Sequence, residues 1–170
     1  MIAEQAGLVA LATIRIATPF RRDLLVASDG ERIVASDFVA LRRGAKTRPD
    51  ALLTEAQAQV QAYFRRRLQK FDVPLRLEGT PFCEAVWRAV ASLSFGQFVS
   101  YADVARAVGR PLAHRGVAAA MGRSPLDLFI PAHRVVGADG RVKGGTPGST
   151  RLLLVAFERA QERTPTARKN

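Results

Sequence analysis

The sequence predicts an α+β protein with a small sheet-and-helix part followed by a mostly helical part. Residues 8–40 contain short alternating stretches of apolar and polar residues, as in strands. Residues 51–70 carry apolar residues at helical spacing, and several short segments after residue 80 have the start and stop signals of helices. With 170 residues, of which 48% are hydrophobic, the chain can form one ordinary core or two small ones.

The first part is predicted to be a small antiparallel sheet covered by one helix. The strand segments are "LVALATIRIAT", "DLLVASDG" and "RIVASDFVA", and Asp29-Gly30 between the last two predicts a two-residue hairpin turn whose glycine takes a positive φ. The helix is expected from Ala51 to about Lys70. Its apolar positions are Leu53, Ala56, Val60, Tyr63, Phe64 and Leu68.

The segment "FDVPLRLEGTP", residues 71–81, contains two prolines and a glycine and is typical of a linker. We therefore place the domain boundary near Leu77, with domains at residues 1–77 and 78–160. The polar end of the chain, residues 161–170, is expected to be a disordered tail that adds contacts to phosphates.

The second part begins with three predicted helices. Thr80 is suited to cap the first, with Pro81 at its first position. Ser100 is suited to cap a second helix that runs to Val108, because its side-chain oxygen can accept from the backbone N–H of Asp103. The third is expected over residues 112–122.

The second and third of these helices form a helix-turn-helix pattern, joined by a turn that contains Gly109. The third helix carries Arg115 among alanines and glycines, so it offers little side-chain bulk and few groups that can hydrogen-bond to base edges. Such a surface favours close, sequence-independent contact with a DNA groove.

Charge points to the same class of partner. Lys and Arg number 26 against 15 Asp and Glu, which gives a net charge of +11. An isoelectric point near 11.3 is typical of proteins that bind a polyanion, and nucleic acid is the first candidate.

Composition argues against several other classes. The single cysteine, Cys83, excludes an internal disulfide, and with only two histidines no zinc-binding spacing occurs, so no metal is expected. No run reaches the roughly 18 apolar residues that a membrane span needs, and the N-terminal residues do not have the pattern of a secretory signal. We therefore expect a cytoplasmic protein.

Five segments, in this order and spacing, resemble the O6-alkylguanine-DNA alkyltransferases. They are "GTPFCEAVWRAVASL", "SYADVARAVGRP", "HRGVAAAMGRSP", "IPAHRVVGADG" and "RLLLVAFE", and the resemblance covers about residues 8–159. It implies an RNase H-like N-terminal domain, a winged-helix-like C-terminal domain, and a monomer. In that family a cysteine takes the alkyl group from a guanine that has been flipped out of the duplex, irreversibly and without a cofactor.

Ala132 stands at the position of that cysteine. His133 and Glu158 match the groups that support the nucleophile, but a methyl side chain has no lone pair for them to activate. Cys83 is a motif position without a catalytic role in the family. No catalytic residue is therefore expected, and the resemblance is closest to an alkyltransferase-like protein.

The resemblance also implies a set of binding residues. Arg115 would enter the base stack and fill the gap that the flipped base leaves, while Tyr101 would press on the neighbouring phosphate. Arg134 is expected to hold loops together rather than to contact DNA. The residues implied to bind DNA are Tyr101, Ala113, Arg115 and Gly116, and those implied for the base pocket are Tyr101, Pro131, Ala132, His133, Val135, Gly145 and Thr146.

Two further positions depart from the family pattern. Ser124 replaces an asparagine, and Gly145 replaces the tyrosine that usually closes the alkyl pocket. The change from cysteine and tyrosine to Ala132 and Gly145 predicts a wider pocket that admits bulkier adducts. Because these neighbours have changed too, the pattern favours a natural alkyltransferase-like protein over a laboratory Cys-to-Ala variant.

Three hypotheses for the function remain. The first is a non-enzymatic protein that binds O6-alkylguanine in double-stranded DNA and signals it to nucleotide-excision repair proteins, as the resemblance implies. The second is an O6-methylguanine-DNA methyltransferase inactivated by exchange of its cysteine. The third is a helix-turn-helix transcription regulator, against which the alanine-rich helix argues.

Overall fold

A computed structural model describes residues 11–41, 48–144 and 146–160 of the chain. The first part is an antiparallel sheet of β1 (Ala12–Ala17), β2 (Arg22–Ser28) and β3 (Ile33–Ala40), in the order β1-β2-β3. Helix α1 (Ala51–Phe64) packs on it through Leu53, Ala56 and Val60, which are fully buried. The predicted sheet with one covering helix is confirmed, and residues 8–10 of the first predicted strand lie outside the described residues.

The turn between β2 and β3 is longer than predicted. The chain reverses over four residues, 29–32, with a hydrogen bond from the Asp29 N–H to the Arg32 carbonyl. Gly30 has the predicted positive φ of 95°. The Asp29 carboxylate accepts from the N–H groups of residues 31 and 32, and the register shifts between Ala27 and Ser28. This side-chain bonding stabilises a wider loop than a two-residue turn.

Helix α1 also ends earlier than predicted, at Phe64 rather than near Lys70. Arg66 takes a left-handed conformation with a φ of 59°, and its N–H bonds to the carbonyl of Tyr63. Its guanidinium lies 4.7 Å from the centre of the Phe157 ring and donates to the Phe157 carbonyl. These tertiary contacts compensate for a backbone conformation that is rare in non-glycine residues.

The second part contains α2 (Pro81–Ala91), α3 (Tyr101–Ala107), α4 (His114–Gly122) and α5 (Thr150–Arg159), with a short parallel pair of β4 (Val99–Ser100) and β5 (Val135–Val136). Both predicted caps are confirmed: the Thr80 oxygen accepts from the backbone of α2, and Ser100 and Asp103 form a reciprocal capping box. Helix α4 starts two residues later than predicted, because the turn from Arg110 to Ala113 takes up residues 112 and 113.

The hydrophobic core continues from one part of the chain into the other. The backbone of Ile33 at the start of β3 bonds to Pro74 and Arg76 of the predicted linker. This part of the linker therefore lies alongside the edge of the sheet at β3. Further along β3, Ser36 exchanges backbone hydrogen bonds with the loop at Pro125 and Asp127. These contacts fix the loop that leads into residues 130–136 against the sheet.

No helix in the described ranges is long and apolar enough to cross a membrane. The predicted tail at residues 161–170 lies outside the described residues.

Candidate functional site

The segment that resembles the family's nucleophile turn is a single 3-10 turn, Ala132–Arg134, between Pro131 and β5. The Arg134 N–H bonds to the Pro131 carbonyl, and the Ala132 N–H bonds to the Ile130 carbonyl. His133 and Arg134 are each 2% exposed, whereas Ala132 is only partly buried. The turn therefore directs its two ionisable side chains inward and leaves the alanine methyl group accessible.

The buried carboxylate of Glu158 on α5 receives hydrogen bonds from four residues. His133 Nε2 and the Tyr63 hydroxyl each lie 2.7 Å from Oε1. Arg134 contacts both oxygens, with its Nε 3.0 Å from Oε2 and its Nη2 2.9 Å from Oε1. The Gly96 N–H donates to Oε2 at 2.9 Å. The Arg134 Nη1 also donates to the Leu93 carbonyl, which is consistent with the prediction that this arginine holds loops together.

These contacts define the charges of the group. Burial acts to raise the pKa of Glu158, but the hydrogen bonds from His133 and Arg134 and the charge of Arg134 outweigh it and lower that pKa to about 2. Burial lowers the pKa of His133, and burial together with the Glu158 charge raises the pKa of Tyr63. At neutral pH the group is therefore a Glu158–Arg134 ion pair with a neutral His133, whose Nε2–H donates to Glu158.

A cavity of about 170 Å³ opens beside the turn. Ala132 and His133 line it, so these two members of the predicted pocket lie together at one cavity. The other lining residues come from β3, α4, the loop before the turn, and α5. They are Phe38, Met121, Asp127, Leu128, Ile130, Thr150, Arg151 and Leu154.

Arg151 links this cavity to the other predicted pocket residues. Its Nη2 donates to the Ala132 carbonyl at 2.8 Å, to the Val135 carbonyl at 3.1 Å and to the Tyr101 hydroxyl at 3.2 Å. One guanidinium group thus joins the start of α3, the turn and β5. It fixes the Tyr101 ring beside the turn.

Asp127 brings a carboxyl group to the cavity wall. Its protonated form hydrogen-bonds to the side chain of Asp37 on β3, and its carboxylate accepts from the Phe38 N–H. Burial, together with the charge and the hydrogen bond of Asp37, raises the pKa of Asp127 to about 6. The cavity is therefore bordered by the acidic Asp127 as well as by the basic Arg151 and by His133.

The remaining predicted pocket residues take different positions. Pro131 and Val135 flank the turn and are buried, but neither they nor Tyr101 and Thr146 are among the residues that line the cavity. Gly145 lies outside the described residues, so the prediction of a pocket widened by this glycine stays a prediction.

The predicted DNA-binding residues lie along α3 and α4. Arg115 is exposed on α4, next to the exposed Ala118 and Ala119, and makes no ion pair with any described residue. Ala113 stands at the N-cap of α4, and Tyr101 begins α3. Gly116 faces α2 instead: a Cβ there would lie 3.1 Å from the Phe82 ring, so this glycine allows close packing of α4 on α2.

The other residues considered at the sequence level have structural places. Cys83 is 5% exposed in α2 and belongs to the core, away from the cavity lining. The described residues contain no group of three or more His, Cys, Asp or Glu side chains that could hold a metal ion.

The sequence interpretation missed Arg151, Asp127 and Tyr63. A signal existed for Arg151, because it precedes Glu158 by seven residues, or about two turns, and so lies on the same face of α5. Asp127 and Tyr63 gave no comparable signal, since their partners Asp37 and Glu158 are far away along the chain.

Two family models match the chain. The model of the 6-O-methylguanine DNA methyltransferase ribonuclease-like domain matches residues 14–77, and the model of the DNA binding domain of the same proteins matches residues 81–157. Together they cover most of the chain.

Individual proteins give the same result. A methylated-DNA–protein-cysteine methyltransferase of Methanosarcina acetivorans is 34% identical over 74% of this chain and 83% of its own length. The Methanosarcina barkeri protein of the same name is 40% identical over 55% of this chain, and the match spans 60% of that relative.

Solved structures agree with these relatives. The crystal structure of Mycobacterium tuberculosis OGT in complex with DNA aligns with a TM-score of 0.72 and 31% identity, over 86% of this chain and 92% of that one. The crystal structure of Mycobacterium tuberculosis O6-methylguanine methyltransferase aligns with a TM-score of 0.74 and 31% identity, over 92% and 96% of the two chains. Both parts of the fold are therefore shared with these structures.

Glu158→Gln is expected to lower the free energy of unfolding by about 3 kcal/mol, because it leaves the buried Arg134 guanidinium without its counter-charge. Urea unfolding at pH 7 measures this. Glu84→Gln is the matched control, since Glu84 forms an exposed pair with Arg88 on α2, and it should change stability by less than about 0.5 kcal/mol.

The loss in Glu158→Gln should also depend on pH. The folded-state pKa of Glu158 lies below the ordinary value of 4.5, so its contribution is complete above pH 4.5 and disappears as the pH falls towards about 2. The difference in the free energy of unfolding between the unaltered protein and Glu158→Gln should become smaller over that pH range. Equal stabilities at pH 7 would contradict the assignment.

Proposed function

The chain belongs to the 6-O-methylguanine DNA methyltransferase family, and we propose on this basis that it binds double-stranded DNA at O6-alkylguanine and holds the flipped base without removing the alkyl group. The observation that carries the proposal is Ala132. It occupies the accessible position of a turn whose supporting pair, His133 and Glu158, is hydrogen-bonded at 2.7 Å. The cavity beside it remains open, but it offers no thiol to accept an alkyl group.

Surface charge and shape support the binding half of the proposal. Arg115 is exposed and unpaired within the described part of the chain, and the neighbouring alanines of α4 permit a close approach to a groove. Flipping a base costs a few kcal/mol, which an inserted arginine and contacts to phosphates can offset. The net charge of +11 favours such contacts.

The consequence for the cell follows from the missing transfer. A bound complex that does not react persists until a second protein removes the lesion. We propose that nucleotide-excision repair proteins recognise this complex, and that the protein acts as a cytoplasmic monomer.

A second candidate is a methyltransferase inactivated by exchange of its cysteine. Two observations favour it: the relatives described above carry the name methyltransferase, and the His133–Glu158 pair that would support a nucleophile is intact. The two candidates differ in the methyl transfer expected when a cysteine is restored at position 132.

The test of the proposed function is binding to matched short duplexes that carry O6-methylguanine or guanine, at physiological salt, with a parallel assay for the methyl group. We expect selective binding of the lesion with the methyl group retained. Loss of the methyl group would contradict the non-enzymatic proposal. Equal and weak binding to both duplexes would mean that recognition has been lost, and tight binding to one undamaged sequence would favour the transcription regulator.

Arg115→Ala is expected to weaken binding of the O6-methylguanine duplex by about tenfold or more, because the gap left by the flipped base is no longer filled. Binding of undamaged duplex should fall less, since only a phosphate-attracting charge is lost there. Fluorescence anisotropy at one fixed salt concentration measures both. Arg88→Ala removes the same charge from the exposed face of α2 and serves as the control. An equal loss of affinity in the two variants would mean that Arg115 contributes only its positive charge.

Ala132→Cys separates the two candidates. We expect little or no methyl transfer, because Asp127 lines the same cavity and a carboxylate near a thiol raises the thiol pKa and disfavours the thiolate. Incubation with radiolabelled O6-methylguanine duplex measures the methyl group bound to protein. Complete, stoichiometric transfer would instead identify an inactivated methyltransferase. The lesion-binding assay on the same variant shows whether the pocket remains intact.

A further inference from the structure

The cavity beside Ala132 is not uniformly apolar. Besides His133 and Thr150, its polar lining includes one basic and one acidic side chain, Arg151 from α5 and Asp127 from the loop before the turn. A plain alkyl group entering the cavity would satisfy the hydrogen-bonding capacity of neither. The cavity lining can therefore discriminate between adducts by their hydrogen-bonding groups as well as by their size.

Some N–H donors of Arg151 bond to no described residue. All three of its hydrogen bonds, to Tyr101 and to the carbonyls of Ala132 and Val135, come from Nη2. Its Nη1 bonds to no described residue and is not buried, so this is the donor that an adduct can reach, whereas the unpaired Nε is buried. A guanidinium has five N–H donors, so the described part of the protein leaves some of this group unsatisfied.

The Asp127 carboxylate has acceptor positions that the described residues leave unused. Its carboxylate accepts from the Phe38 N–H of β3, and its own N–H and carbonyl bond to Ser36 of the same strand. A carboxylate offers about four lone-pair positions, and these contacts leave acceptor capacity towards the cavity. Because both ends of the residue are fixed to β3, its place in the wall is rigid.

Resting on the function proposed above, we propose that the pocket prefers O6-alkylguanines whose alkyl group ends in a hydroxyl, of which O6-(2-hydroxyethyl)guanine is the simplest. A hydroxyl group both donates and accepts, so it can bond to Asp127 and Arg151 at once. A carboxylate on the adduct would face Asp127, and an ammonium group would face Arg151. A pure alkyl chain would strip water from both side chains and replace none of its hydrogen bonds.

The test compares O6-(2-hydroxyethyl)guanine with O6-propylguanine in the same duplex at one salt concentration. The two adducts have the same number of heavy atoms and differ only in whether the last is a hydroxyl or a methyl group. We expect the hydroxyethyl adduct to bind about five- to tenfold more tightly, as one or two net hydrogen bonds imply. Equal affinities, or tighter binding of the propyl adduct, would overturn the inference.

Asp127→Leu should abolish this difference, and Asp127→Asn, which keeps an acceptor oxygen, should retain part of it. Asp72→Leu, an exposed aspartate outside the cavity, is the matched control and should keep the full difference. Thermal unfolding verifies that the variants are folded, and the comparison of adducts on the unaltered protein does not depend on them. A preference that persists in Asp127→Leu would contradict the role given to Asp127.

Further duplexes separate this inference from the function on which it rests. If O6-methylguanine and O6-propylguanine are bound in preference to guanine but the hydroxyl group adds nothing, only the inference fails. If no adduct is preferred to guanine, the proposed function fails. Tighter binding of O6-carboxymethylguanine than of the hydroxyethyl adduct would mean that Arg151 alone recognises the end of the adduct. This result would overturn the joint role of Asp127 and Arg151.

Discussion

The structure depends on one buried negative charge, the carboxylate of Glu158. It is completely buried, and its two oxygens collect hydrogen bonds from Tyr63, Gly96, His133 and Arg134. Those donors come from helix α1, the loop before β4, and the turn that carries Ala132. Because an unpaired charge in this position would be strongly destabilising, these segments can pack only in an arrangement that brings all the donors to α5. The site is therefore held in shape by the same contacts that hold the two parts of the chain together.

This explains how the turn keeps its geometry although Ala132 provides no nucleophile. His133 and Arg134 are fixed by Glu158, and Arg134 also by the Leu93 carbonyl. Neither contact involves the side chain at position 132. A group that would assist a thiolate in a methyltransferase has a structural role here as well, so an alanine at this position leaves the support of the turn in place. Retention of His133 and Glu158 is consequently compatible with both candidate functions, because their structural role alone accounts for it.

Local chemistry could be predicted from the sequence, and long-range chemistry could not. The caps at Thr80 and Ser100 involve residues three positions apart, so the sequence pattern contains both partners. Helical spacing alone predicts too late an end for α1, because the residue that ends it, Arg66, is held by Phe157, which is distant along the chain. The Asp29-Gly30 pair predicts too short a turn after β2, because the Asp29 side chain accepts from backbone N–H groups that a two-residue turn would use otherwise.

The candidate site divides in the same way. Ala132, His133 and Glu158 follow from the family resemblance, and Arg151 could have been found from its spacing to Glu158 on one helix face. The resemblance assigned no role to Asp127, and the carboxyl group it faces belongs to a strand in the other part of the chain. The sheet thus contributes to the pocket through the loop that β3 holds. A protein that binds a lesion without reacting must obtain its whole discrimination from the free energy of that bound state, because no irreversible step follows to amplify it. Polar groups fixed in a pocket wall can provide such discrimination, since a ligand that leaves them unsatisfied loses the hydrogen bonds they made with water.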